Sequence, residues 1–147
     1  MDDTTSHLLE IARQNASSEE ATRITSLQSP TVAEVLGRSL ASVLKGIAAD
    51  VVIVWDQVET SVLGHVVSRE LGSDLVYAYS VEGSLDLSAP LAPGSSCVLV
   101  SYDWTESHGL DALLRLTKSR GSTVSGIGAI VQPNGHGPAV HVIAQSC

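Results

Sequence analysis

The chain has 147 residues, 44 % of them apolar in short blocks, which suits one globular domain with a core of its own. Eight Lys and Arg stand against sixteen Asp and Glu, a formal charge of −8. Such a surface repels polyphosphate, so nucleic acid and anionic membranes are excluded as partners. No apolar run approaches the roughly 20 residues that cross a bilayer. Cys97 lies inside an apolar run and Cys147 at the last position, and neither asks for an oxidising compartment. With Met1-Asp2-Asp3 acidic where a secretory signal would be basic, the expected location is the cytoplasm.

In chain order, Thr4 to Ala16 is a short helix candidate with Leu8, Leu9, Ile11 and Ala12 on one side, followed by a polar stretch from Ser17 to Ser29. Val32, Val35, Leu36, Leu40, Val43, Leu44 and Ile47 recur at helical steps after Ser29-Pro30, and Thr31 with Glu34 has the spacing of a capping box. The period then changes. Val51-Val52-Ile53-Val54-Trp55 reads as a strand buried on both faces. A polar loop leads to Val62, Leu63, Val66, Val67 and Leu71, a helix closed by Gly72. Leu75 to Tyr79 is a second strand. Ser80 to Ser96, with Gly83, Pro90, Pro93 and Gly94, reads as a long loop. Cys97 to Val100 is a third strand, and Leu110, Leu113 and Leu114 sit on a helix ending at Gly121. Ile127 to Val131 and Ala139 to Ile143 are two more strands, joined through the turn-rich segment Pro133 to Pro138.

Strands alternating with helices predict an α/β fold, a mostly parallel sheet with helices on both faces. The chain is read as one domain, residues 1–48 an N-terminal helical part and residues 49–147 the α/β core. Sites in such sheets lie at the carboxyl ends of the strands, which selects Trp55 to Ser61 and Ser101 to Gly109.

Those two segments carry a likeness to a family. Ala49 to Val54, then a loop, then Leu63 through Arg69-Glu70-Leu71-Gly72, resembles the pyrophosphate-loop unit of type I phosphoribosyltransferases. Cys97-Val98-Leu99-Val100, a nine-residue loop and a helix ending at Gly121 resemble their donor-binding unit, and the spacing is most similar to the orotate-type branch. The resemblance implies the fold, a homodimer, and a donor site for phosphoribosyl pyrophosphate. Its signature residues are replaced. The acid pair expected at the end of the third strand falls on Ser101 and Tyr102, and a one-residue slip restores only Asp103. The phosphate turn becomes Thr105-Glu106-Ser107-His108-Gly109, which puts Glu106 beside the phosphate at a cost on the order of 4 kcal/mol at an effective dielectric of 20. No glycine lies between Trp55 and Leu63, and the cations the family supplies after its second strand are Ser80 and Val81 here. From Gly46 to Leu114 the only Lys or Arg is Arg69, against ten acids, so ordinary donor binding is not expected.

The same loops hold residues suited to other chemistry. Both tryptophans, Trp55 and Trp104, flank them, with Asp56 and Glu59 in one loop and Tyr102, Asp103, Glu106, Ser107 and His108 in the other. Aromatic walls with carboxylates and an imidazole compose a small-molecule pocket. Glu106 and His108 form a candidate acid–base pair with Asp103 beside it, and Trp55, Asp56, Glu59, Tyr102, Trp104 and Ser107 are candidate binding residues for a neutral or cationic ligand. The structural alternative is helix capping: Thr60 or Ser61 with Glu59, and Ser107 with Asp111. His65 beside an apolar stripe, His136 in a turn and His141 in a strand carry no chemistry on this reading. No spacing matches a metal motif, and no cofactor is implied. A non-catalytic partner subunit or ligand-binding regulator is the alternative function, and a working phosphoribosyltransferase with unusual donor contacts is the third.

Overall fold

In the computed structural model, residues 29–102, 104, 109–131 and 141–144 are described. The helix expected over 4–16, the turn 133–138, and Asp103 with residues 105–108 lie outside the described residues. Strand β1 (Val51–Trp55) forms from five consecutive β-branched or aromatic residues, and its first four are buried. It lies between two parallel neighbours, β2 (Asp74–Val81) and β4 (Ser96–Ser101), with Ile53 opposite both Val76 and Leu99. β5 (Thr123–Val131) and β6 (His141–Ala144) extend the sheet in parallel, and β3 (Ser84–Leu87) caps the far edge antiparallel to β2. The spatial order is β3-β2-β1-β4-β5-β6, a mostly parallel sheet covered on both faces as expected.

Helices α1 (Pro30–Leu44) and α2 (Val58–Leu71) cover one face. In α1, Leu36, Leu40 and Leu44 point inward with Ala33, Gly37 and Ala41, while Val43 is 42 % exposed and stands outside the stripe expected for it. Ser29 is the N-cap, its hydroxyl accepting from the Val32 amide at 3.3 Å, and Pro30 occupies the first helical turn. The N-cap therefore lies two residues upstream of Thr31, and with Val32 at the third helical position the capping box expected at Thr31 and Glu34 does not form. Glu34 instead pairs with Arg38 and, across the helices, with Arg69 of α2. Gly72 ends α2 at φ 69°, with the Ser73 amide donating to the Ser68 carbonyl at 2.9 Å. Helix α3 (Leu110–Ser119) covers the opposite face with Leu113 fully buried.

The segment read as a loop from Ser80 to Ser96 contains a hairpin. Val81 pairs with Ser84 across Glu82 and Gly83, both at positive φ (49° and 83°), the pattern of a two-residue primed turn. Leu85 and Leu87 alternate with Ser84 and Asp86, a strand period eclipsed by the two prolines and two glycines around it.

Close contact between α1 and α2 depends on Gly37. A methyl group there would lie 2.5 Å from Val66 Cγ1, and Val66 is buried with a stiff χ1. Gly37→Ala should destabilise the fold by about 1–3 kcal/mol despite its better helix propensity, and adding Val66→Ala should remove most of the interaction penalty in a urea double-mutant cycle. If Gly37→Ala is neutral or stabilising alone, the helices do not meet this closely. Hydrogen bonding from Arg69 holds the Glu34 carboxyl below its ordinary value. That pairing stabilises the fold above the unfolded value of about 4.5 and is lost as pH falls through the lower folded value. Glu34→Gln should therefore flatten the acid limb of stability against pH, most clearly at low salt; an unchanged limb contradicts the pairing.

Candidate functional site at the carboxyl ends of β1 and β4

At the end of β1 the expected loop is short. Only Asp56 and Gln57 separate Trp55 from α2, which begins at Val58. Both amides of this connection are engaged within the fold: Asp56 N–H donates to the Ala78 carbonyl at 2.9 Å and Gln57 N–H to the Trp55 carbonyl at 2.8 Å. Thr60 donates its hydroxyl to the carbonyls of Trp55 and Gln57 at 2.5 and 3.1 Å, and Ser61 to that of Gln57 at 2.6 Å. These hydroxyls thus tie the first turn to carbonyls behind it and do not cap N–H groups; Gln57 holds the N-cap without a side-chain bond. Asp56 is exposed, and Glu59 stands partly buried in the first turn, where the helix dipole favours a carboxylate.

At the end of β4 the chain stays inside the protein. Ser101 is 1 % exposed and pairs with Ala129. Tyr102 extends the contact, its carbonyl accepting from the Ile130 amide at 3.0 Å. Its side chain, 3 % exposed, joins the cluster of Leu36, Leu40 and Val100 under α1 and α2. Trp104, 4 % exposed, joins the opposite cluster with Leu99 and Leu113, and its indole N–H donates to the Gly128 carbonyl at 3.0 Å. The two aromatic residues therefore occupy the cores on opposite faces of the sheet, where sequence alone suggested walls of a cleft. The two ends of the site do meet through Trp55: a methyl on Gly109, the residue before α3, would lie 3.2 Å from Trp55 Cζ2. Asp103, Glu106, Ser107 and His108 fall outside the described residues.

His65 is exposed on α2, and His141 is in β6. Cys97 is buried, and desolvation pushes its thiol above the ordinary value, as for an inert core residue. Among the described residues no group of three His, Cys, Asp or Glu could hold a metal. No helix among them is long and apolar enough to cross a membrane. A depression of about 400 Å³ does occur, at the opposite, amino ends of the strands, between Asp50, Asp74, Pro90 and Pro93. Sequence reasoning passed over it, although an aspartate stands immediately before β1 and another opens β2. The Asp50 carboxylate there accepts from the Ser96 amide at 3.0 Å and so anchors the start of β4.

Placing an acid at Tyr102, where the ungapped alignment expects one, should unfold rather than restore a site. Tyr102→Asp leaves a cavity and buries a charge, so urea denaturation should show a loss of about 3–5 kcal/mol or more, against under about 0.5 kcal/mol for Asp56→Ala. A mild effect of Tyr102→Asp would mean that this position faces solvent.

No family model and no curated protein matches the sequence. Solved structures do match in fold. UMP synthase of Leishmania donovani superposes with a TM-score of 0.62 at 16 % identity over 73 % of this chain, which spans only 24 % of that enzyme. Adenine phosphoribosyltransferase from Thermoanaerobacter pseudethanolicus gives 0.60 at 19 % identity, covering 72 % of this chain and 71 % of that one. The adenine phosphoribosyltransferase from Rhodothermus marinus gives 0.61 at 17 %, covering 81 % and 82 %. At these identities the likeness is one of architecture: the chain has the fold of type I phosphoribosyltransferases, and the mixture of neighbours does not single out the orotate-type branch.

Proposed function

We propose that this phosphoribosyltransferase fold has lost ordinary binding of phosphoribosyl pyrophosphate and that its cleft takes a neutral or cationic small molecule. The observation that carries this reading is the connection after β1. A diphosphate needs backbone N–H groups turned toward it, whereas the amides of Asp56 and Gln57 already donate to Ala78 and Trp55 and an exposed carboxylate stands between them. Burial of Tyr102 at the position of an expected ribose-binding acid supports the same conclusion. In this reading Glu106 and His108, with Asp103, carry acid–base chemistry, while Trp55, Asp56, Glu59 and Ser107 contact the ligand. Tyr102 and Trp104 hold the floor in place from the core. The protein acts in the cytoplasm as a homodimer.

A second reading, a non-catalytic partner subunit or ligand-binding regulator, draws support from the burial of Tyr102 and Trp104, which fill space that a cleft wall was expected to line.

Calorimetry with millimolar phosphoribosyl pyrophosphate and Mg²⁺ should give no saturable heat; saturable binding in the micromolar range makes the protein a working donor-binding transferase. The acid–base pair has its own test. A carboxylate beside an imidazole favours the charged ring, so Glu106→Gln should lower the midpoint at which His108 titrates by NMR. An unmoved midpoint separates the two residues and leaves the non-catalytic reading.

A further inference from the structure

Strand β3 lies at the edge of the sheet, paired with β2 on one side and with no strand among the described residues on the other. The hairpin fixes which backbone groups face that open side. Val81 and Ser84 flank the two-residue turn and so exchange backbone hydrogen bonds. Two residues on, Asp86 turns its backbone toward Tyr79, and two further on the Ser88 amide donates to the Tyr77 carbonyl at 2.8 Å. Leu85 and Leu87 alternate with these, so their amides and carbonyls point away from β2. Outward groups of this kind are a template for another strand, and the exposed Val81 beside them adds apolar surface.

One of these groups is already taken. The Asp86 carboxylate accepts from the outward Leu87 amide at 2.8 Å, and Arg120, the residue after α3, donates to the same oxygen at 2.8 Å. Hydrogen bonding from Arg120 and then from the Leu87 amide holds the Asp86 carboxyl below its ordinary value, so it is charged at neutral pH. Both side chains are exposed, where such a pair adds little to stability. Its effect falls on the edge more than on the fold.

We propose that Asp86 guards the sheet edge: it occupies the Leu87 amide, sets a negative charge on β3, and so keeps β3 from pairing with the β3 of a second copy of this chain. In an antiparallel two-fold pairing centred on this residue, the two Asp86 side chains would stand opposite each other, like charges across the strands. Arg120 holds the carboxylate over the edge. The homodimer proposed above therefore uses another surface, and the guard does not depend on what the cleft binds.

The parent protein tests the geometry first. In native-state hydrogen exchange the Leu85 amide should exchange at least about tenfold faster than the Asp86 amide, which is bonded to β2. Sedimentation between micromolar and millimolar concentration then tests the guard. Asp86→Ala should form species heavier than the parent at the same concentration, by about twofold or more at the upper end. Proline is tolerated on an edge strand where its nitrogen faces solvent, so adding Leu85→Pro removes a second outward donor and should return the mass to that of the parent. Association caused by general loss of the fold would not be cured by that proline. The proposal is overturned by a Leu85 amide as slow as that of Asp86 in the parent, by Asp86→Ala keeping the parent's mass, or by a double variant that associates as Asp86→Ala does.

Discussion

Everything in this fold is arranged around a strand buried along all but its first residue. β4 is buried from Cys97 through Ser101, and the two aromatic residues after it continue inward on opposite sides, Tyr102 under α1 and α2 and Trp104 under α3. Burial on both faces demands helices on both faces, and close helices demand small residues. Gly37 and Gly64 let α2 approach α1 and β1, while Gly126 and Gly128 on β5 admit Ile47, Leu40 and Leu44. A side chain at any of these four would meet apolar neighbours at 3.0 Å or less.

The same tightness shapes the site. A sheet of this type offers ligands its carboxyl edge, and here that edge is drawn in: β1 passes to α2 through two residues, and β4 passes its pairing on to Tyr102. Backbone donors that a phosphate would need are engaged within the fold at the first of these places. At the second, the position of an expected carboxylate is filled by a phenol ring. What is shared with type I phosphoribosyltransferases is the architecture.

Much of this was legible in the sequence. The β-branched block Val51 to Val54, the apolar stripe of α1 and the glycine at the end of α2 each follow from one local rule, and each appears in the fold. What stayed hidden depends on tertiary context. Ser84 to Leu87 is too short and too closely flanked by Pro and Gly for its alternation to stand out, and in the Glu82-Gly83 turn only the glycine signals a positive φ, which a glutamate seldom adopts. Val58 to Ser61 reads as loop because its polar residues dominate, yet Thr60 and Ser61 turn their hydroxyls back to carbonyls and let the helix begin earlier. Tyr102 and Trp104 look like cleft residues in a polar segment, and only the depth of the sheet shows that their rings belong to the core.

The continuation of β4 through Tyr102 is the feature that closes the second end of the site, and the amide of Ile130 reports it directly, because it donates to the Tyr102 carbonyl at 3.0 Å. Native-state hydrogen exchange followed by NMR should find this amide exchanging only with global unfolding, as slowly as the amides of β1, and unchanged by millimolar phosphoribosyl pyrophosphate with Mg²⁺. Fast exchange at Ile130 beside a slow β1, or protection that appears only with the sugar donor, would show that the end of β4 opens to form a donor site and would contradict the buried end described here.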